Sequence, residues 1–354
     1  MRLIHDKRSG MARAGVLATT VGVLLLLGGG AWWVAGVLMR PATSAEPPMG
    51  IDEGSGDDSG TPSAAGVLSP DALGEMLQAA QDAVVSGDGA RARRVLAQGV
   101  SEYPDDQDLR AAFGELLLGL GDAGAAYEQY AAALAVGEPT GALQFGAGLA
   151  ASVSGDPQRA AAHFDTAQQL EPSVAAYAIY LATSRRAIGD LEGASAALVR
   201  ATVLAPDNAD AWGLLSEVAL QQNRAVLAQQ HAERARTLEP GEPAWRVLEA
   251  RALKRGGDAE GALLVLRGIE GEALYGASVL RTMGECLGLL GRQDEAAELY
   301  LEAVLVRGDD AEVLFDAAVW QERVGQAANA TRLAERSAEL GHAPARRWLD
   351  ERDG

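Results

Sequence analysis

A single cysteine, Cys286, occurs in 354 residues, which excludes an intramolecular disulfide framework and a zinc site built from clustered cysteines. As one small apolar side chain it reads as a buried filler. Lysine is almost absent, only Lys7 and Lys254, and 30 basic side chains face 49 acidic ones, for a formal net charge of −19. No nucleic-acid partner is expected, because phosphate binding needs a basic face. Histidine is as scarce: His5, His163, His231 and His342 are scattered, and no His-x-x-x-His, Gly-x-Ser-x-Gly or phosphate-loop pattern occurs. The glycines of "GAGLAA", Gly146 to Ala151, form only a loose cofactor fingerprint with no strand before it. No catalytic residue, metal site or cofactor is therefore expected, and the chain does not read as an enzyme. Aromatics, at 5%, leave little material for sugar-stacking platforms.

What is abundant comes in blocks. From Ala14 to Met39, 26 residues pass without a charge, more than the ~20 a helix needs to cross a bilayer. Residues 1–13 carry Arg2, Lys7, Arg8 and Arg13, whereas Arg40 is followed only by acids. The positive-inside rule then places 1–13 in the cytoplasm, 14–39 as a transmembrane signal anchor, and the remainder outside the cytoplasm, in the periplasm if the source is a Gram-negative bacterium. The runner-up is a signal peptide cut after Ala45 to release a soluble protein, although the apolar run exceeds the usual length of about 7–15 residues. Ala14, Ala18 and Gly22 recur every fourth residue, a spacing that lets two such helices pack closely as a homodimer and that an ordinary span rich in small residues also shows. Residues 40–72 are rich in Pro, Gly, Ser and Asp and read as a flexible acidic linker.

Beyond the linker a period of 34 residues sets in. Pro172, Pro206 and Pro240 are spaced by it, and so are Leu170, Leu204 and Leu238. Eight repeats follow without an insertion: 73–106, 107–140, 141–174, 175–208, 209–242, 243–276, 277–310 and 311–344. Their twentieth position is always alanine: Ala92, Ala126, Ala160, Ala194, Ala228, Ala262, Ala296 and Ala330. The eighth is always small, as at Gly148, and the fifteenth is Gly, as at Gly189, or once Asn223.

Each column has a physical cause. A helix that stops and reverses commonly ends on a residue with positive φ, which Gly tolerates freely and Asn better than most. Asp88, Asp122, Asp156, Asp190 and Asp258 come next and are suited to cap a second helix. Alanines and other small residues let two antiparallel helices touch, while Phe164, Leu198 and Tyr300 at position twenty-four fill the space between them. Each repeat is thus a helical hairpin, and hairpins that cannot bury their apolar stripes alone stack into a solenoid.

These columns resemble the tetratricopeptide repeat (TPR). Ala209 to Pro240, "ADAWGLLSEVALQQNRAVLAQQHAERARTLEP", carries the family's aromatic at position four, Trp212, small residues at eight, twenty and twenty-seven, Ser216, Ala228 and Ala235, and the closing proline; Pro206 holds that place in the repeat before. The resemblance implies an all-α fold, a right-handed α-solenoid of about eight TPR-like hairpins. Residues 345–354 are expected to form a C-terminal capping helix with Trp348 over the exposed end. Repeat six departs from the pattern: Trp245 stands one place early, Glu249 replaces an apolar residue, and Ile269 and Leu274 replace a small residue and the proline.

The resemblance also implies that the first helix of each hairpin lines a groove through positions two, five, nine, twelve and thirteen. In repeats one to four these are mostly apolar, Leu77, Val84, Leu118, Phe145, Leu149, Val153 and Ile179. Repeats six and seven bring Arg251, Lys254, Arg255 and Arg281, with Arg186 nearby. The Lys and Asn clamp that some family members close on a C-terminal carboxylate is missing from the first two repeats, where Leu77, Gln81, Ala111 and Glu115 stand. Two expectations compete for the bases: they pair with Glu217, Glu249 and Glu285, or they receive an acidic part of a partner. The function expected is a membrane-anchored scaffold that binds a segment of a partner protein in its concave groove, in the assembly of an envelope complex; the alternatives are a periplasmic component of a polysaccharide or protein export system and a secreted soluble repeat protein after signal cleavage.

The anchor expectation is tested by topology. A reporter enzyme active only outside the cytoplasm, fused after Gly354, is expected to be active, and the protein to stay with membranes after alkaline washing. A soluble product with a new N-terminus near Glu46 would establish cleavage.

Overall fold

The computed structural model describes residues 70–353, so the expectations for residues 1–13, the anchor at 14–39 with its homodimer, and nearly all of the linker lie outside the described residues. Among the described residues every regular element is helical, and no helix is long and apolar enough to cross a membrane. They fall into two compact units, divided between Glu138 and Pro139.

The first unit holds α1 (Pro70–Val85), α2 (Gly89–Glu102), α3 (Gln107–Gly119) and α4 (Ala123–Val136). Helix α1 starts inside the stretch expected to be linker, with its proline at the first helical position, where a missing N–H costs nothing. The second unit runs through α5 (Gly141–Val153), α6 (Pro157–Leu170), α7 (Ala175–Ala187), α8 (Leu191–Leu204), α9 (Ala209–Gln221), α10 (Ala225–Leu238), α11 (Pro243–Arg255) and α12 (Ala259–Leu266). After a 3₁₀ turn at Gly271–Tyr275 come α13 (Ala277–Leu289), α14 (Gln293–Arg307), α15 (Ala311–Arg323), α16 (Ala327–Glu339) and α17 (Ala343–Asp353). Within this unit each helix packs on the one before and the one after it, and α9, α11 and α13 also touch in series.

The hairpin turns are built by backbone conformation. Gly189 has φ +84° and Asn223 φ +59°, in the left-handed region where a branched side chain would be strained. Asp156, Asp190 and Asp258 then cap α6, α8 and α12, each accepting from the backbone N–H three residues on at 2.9, 2.9 and 2.8 Å.

The eight alanines of position twenty are all fully buried, at 0% exposure. In repeats one to seven, positions eight and twenty-four divide the remaining space by volume. Where position twenty-four is aromatic, Tyr130, Phe164 or Tyr300, position eight is Gly114, Gly148 or Gly284; where it is Leu198 or Leu266, position eight is Ala182 or Ala250. Where it shrinks to Ala232, Ser216 takes position eight and its hydroxyl donates to the Ala228 carbonyl at 2.7 Å. A Cβ on Gly148 would lie 2.6 Å from the Phe164 ring, and one on Gly114 or Gly284 would lie 3.0 Å from Tyr130 or Tyr300.

Repeat six is locally remodelled. Its second helix, α12, stops at Leu266, and Ile269, too large for the usual close contact, is buried beyond its end. The early Trp245 covers Gly213, where a Cβ would lie 2.3 Å from the ring, and its indole N–H donates to Glu239 at 2.9 Å. At the C-terminus, α17 lays Trp348 edge-on against Phe315 with ring centroids 6.4 Å apart. The Arg352 guanidinium lies 4.5 Å from the Trp348 ring centre and pairs with Glu322 at 2.7 Å.

The volume rule can be tested by exchange. Gly148→Ala gains about 1 kcal/mol of helix propensity but drives a methyl into a ring packed against Phe145 and Tyr180, each with its centroid 5.5 Å away, so net destabilisation is expected. Adding Phe164→Leu recreates the Ala182 and Leu198 combination, and chemical denaturation should show a favourable coupling of about 0.5–3 kcal/mol between the two changes.

Candidate functional site on the first helices

In the second unit the last turns of α7, α9 and α11 stand side by side. Thr183 and Arg186, then Glu217 and Leu220, then Arg251 and Arg255 line an open groove of about 550 Å³. A second recess of about 490 Å³ shares Leu220, Arg251 and Arg255 and continues to Lys254 and to Leu289 on α13. All of these are at positions nine, twelve or thirteen, which lie on one face of a helix because three or four residues complete a turn.

The expected group of bases does not act as one. Arg186 pairs with Glu217, Lys254 with Glu285, and Arg281 with Glu312 at 3.1 Å. Each pair spans 31 residues, from one first helix to the next. Glu249, expected to balance the groove, is instead buried at 5% exposure and accepts from Arg236 Nε at 2.7 Å. Arg251 and Arg255 are exposed and make no ion pair among the described residues. They sit four apart on α11, where like charges oppose each other by about 0.2–0.5 kcal/mol, whereas the exposed pairs beside them contribute only ~0–1 kcal/mol each.

The apolar residues of the expected groove are partly withdrawn into packing. Phe145 is half-buried, with ring centroids 5.1 Å from Tyr177 and 5.0 Å from Tyr180. Leu149 is half-buried, and Ile179 packs beside Ala178, Ala201 and Ala211. Phe315 lies 5.1 Å from the His342 ring and 6.4 Å, edge-on, from the Trp348 ring. Leu220 and Leu289 belong to the groove and were legible from their positions twelve and thirteen, but a search for charge passes over them. His163 and His231 are half-buried; burial pushes both imidazoles down, and His163 Nδ1 lies 2.7 Å from Gln144 Oε1. Among the described residues no three His, Cys, Asp or Glu side chains converge as a metal site would need.

In the first unit Glu115, at position nine of repeat two, is pushed up to about 7 by burial. A carboxyl raised in the folded state favours folding at low pH, and that contribution is lost as pH rises from its ordinary value near 4.5 through about 7. Glu115→Gln should therefore leave thermal stability nearly unchanged at pH 4 and raise it at pH 8; an equal effect at both would remove burial of the carboxylate as the cause.

Comparison with known proteins agrees with this architecture. The tetratricopeptide repeat family model matches residues 111–175, 145–194 and 179–243, overlapping segments whose starts are 34 residues apart. The chain carries tetratricopeptide repeats there. A tetratricopeptide repeat protein from Parabacteroides merdae is 14% identical, with a TM-score of 0.53, over 67% of this chain and 94% of that one. PilW, described as a widely conserved type IV pilus biogenesis factor, is 15% identical, with a TM-score of 0.50, over 59% of this chain and 97% of that one. Both likenesses show the fold. No curated protein matches significantly.

Proposed function

We propose that the chain is a scaffold held to a membrane by residues 14–39, whose repeats, outside the cytoplasm, bind an extended segment of a partner protein along the first-helix groove. The observation that carries this reading is the groove itself: consecutive repeats present Thr183, Leu220, Arg251 and Leu289, at positions nine, twelve, nine and thirteen, on a common open surface. An extended peptide matches such a surface because its side chains recur at regular intervals, as the repeats do. The groove brings together no nucleophile, base and orienting acid, so its work is recognition. The membrane setting rests on the uncharged run from Ala14 to Met39, and envelope assembly is the process proposed for it. The pilus role in the description of PilW belongs to that protein. The polysaccharide reading loses support, because Phe145 and Phe315, the aromatic platforms it would use, are engaged with other rings.

Site-specific crosslinking tests the surface. A photoactivatable residue at Thr183, exposed in the groove, is expected to crosslink a discrete partner in intact membranes. The same residue at Val203, 74% exposed on the second helix of that repeat, should give none. Equal crosslinking from Val203 would move binding to the other face.

A further inference from the structure

Two ion pairs join position twelve of one first helix to position nine of the next, and the single step between those two pairs carries none. Arg186 at position twelve reaches Glu217 at position nine of the next repeat, and Lys254 reaches Glu285 in the same way. Between these two steps the corresponding residues are Leu220 and Arg251. Both members are changed: an aliphatic side chain replaces the base, and a base replaces the acid. Among the described residues Arg251 is left without an acidic mate, and Arg255, one turn on, has none either. Glu217 and Glu285, the acids nearest in register, are already held by Arg186 and Lys254.

We propose that Arg251 and Arg255 form a carboxylate subsite for an acidic peptide in which aliphatic residues adjoin the acids. The proposal rests on reading the groove as a peptide-binding surface and names what that surface selects. Two guanidinium forks can each give a carboxylate paired hydrogen bonds. Leu220 lies between the two recesses, and Leu289, 69% exposed, borders the second, so apolar contact is available beside the charge. The recesses share residues and continue over four helices, which suits a chain of several residues more than a lone anion. A net charge of −19 repels polyanions such as nucleic acid at long range while leaving a short peptide able to reach a local positive spot.

The test uses the full-length protein in detergent and a fluorescein-labelled decapeptide of alternating Glu and Leu, followed by anisotropy. Saturable binding is expected, weakened about tenfold by Arg251→Gln and by Arg255→Gln, the loss of a charged hydrogen-bonding partner, and reduced by added salt. Arg234→Gln, at an exposed position on the second helix α10 and outside the groove, should leave it unchanged. Unaltered helical signal and melting in the variants keep folding separate from binding. A peptide of alternating Gln and Leu that binds equally well overturns the carboxylate subsite. Displacement by millimolar inorganic phosphate but not by acetate overturns it in favour of a phosphate site. Crosslinking from Thr183 that is indifferent to both substitutions removes the subsite and leaves the scaffold reading standing. Peptide binding that depends on both arginines without any crosslinked partner keeps the subsite and removes that reading.

Discussion

The close approach of the two helices within each hairpin is the constraint on which the rest depends. Position twenty must be alanine because its methyl is sealed at the contact, and in repeats one to seven positions eight and twenty-four share one volume. Glycine is a poor helix former, so its presence inside α3, α5 and α13 needs a reason. The reason is the ring opposite: Gly114, Gly148 and Gly284 leave space that Tyr130, Phe164 and Tyr300 occupy. An intrinsic helix penalty of about 1 kcal/mol is offset by burial of an aromatic side chain, worth more on apolar area alone. The same contact decides which faces remain outside. With one stripe of each first helix committed to its partner, positions nine, twelve and thirteen in the second unit are left to form a groove.

Most of this was legible before any coordinates, for reasons that can be assigned. The turn column and the alanine column each answer a requirement inside one repeat: a positive φ at Gly189, a sealed methyl at Ala194. A requirement that recurs every 34 residues becomes a visible column. The pairing of volumes was harder to see, because position eight alone reads only as small. It becomes a rule when Gly148 is set beside Phe164 and Ala182 beside Leu198.

The site was less legible, because partner choice among charges is a matter of reach and burial. Glu249 is close in sequence to Arg251, but position seven turns it inward, where Arg236 satisfies it. A buried carboxylate without such a partner would be strongly destabilising, so Glu249 is not available to the groove. Phe145 likewise counts as apolar surface on paper, yet the tyrosines of α7 enclose it. The end of α12 at Leu266 comes just before Gly268, a weak local stop, and the bulk of Ile269 at the close-contact position accounts for the change in path.

Positive charge in an acidic chain is available to a ligand only where internal pairing fails, and the manner of failure sets its quality. Had position twelve alone changed to Leu220, with an acid kept at position nine, the groove would hold a lone carboxylate. Had position nine alone changed to Arg251, a base at position twelve would oppose it. Changing both leaves one cation beside an aliphatic side chain, with like-charge opposition limited to Arg255. The flanking pairs, Arg186 with Glu217 and Lys254 with Glu285, neutralise the approaches on either side. The positive potential is thus confined to a short stretch, which screening over about 8 Å at physiological salt confines further. A ligand reading that stretch is selected by where its charge lies along the chain, so the interruption confers register as well as attraction.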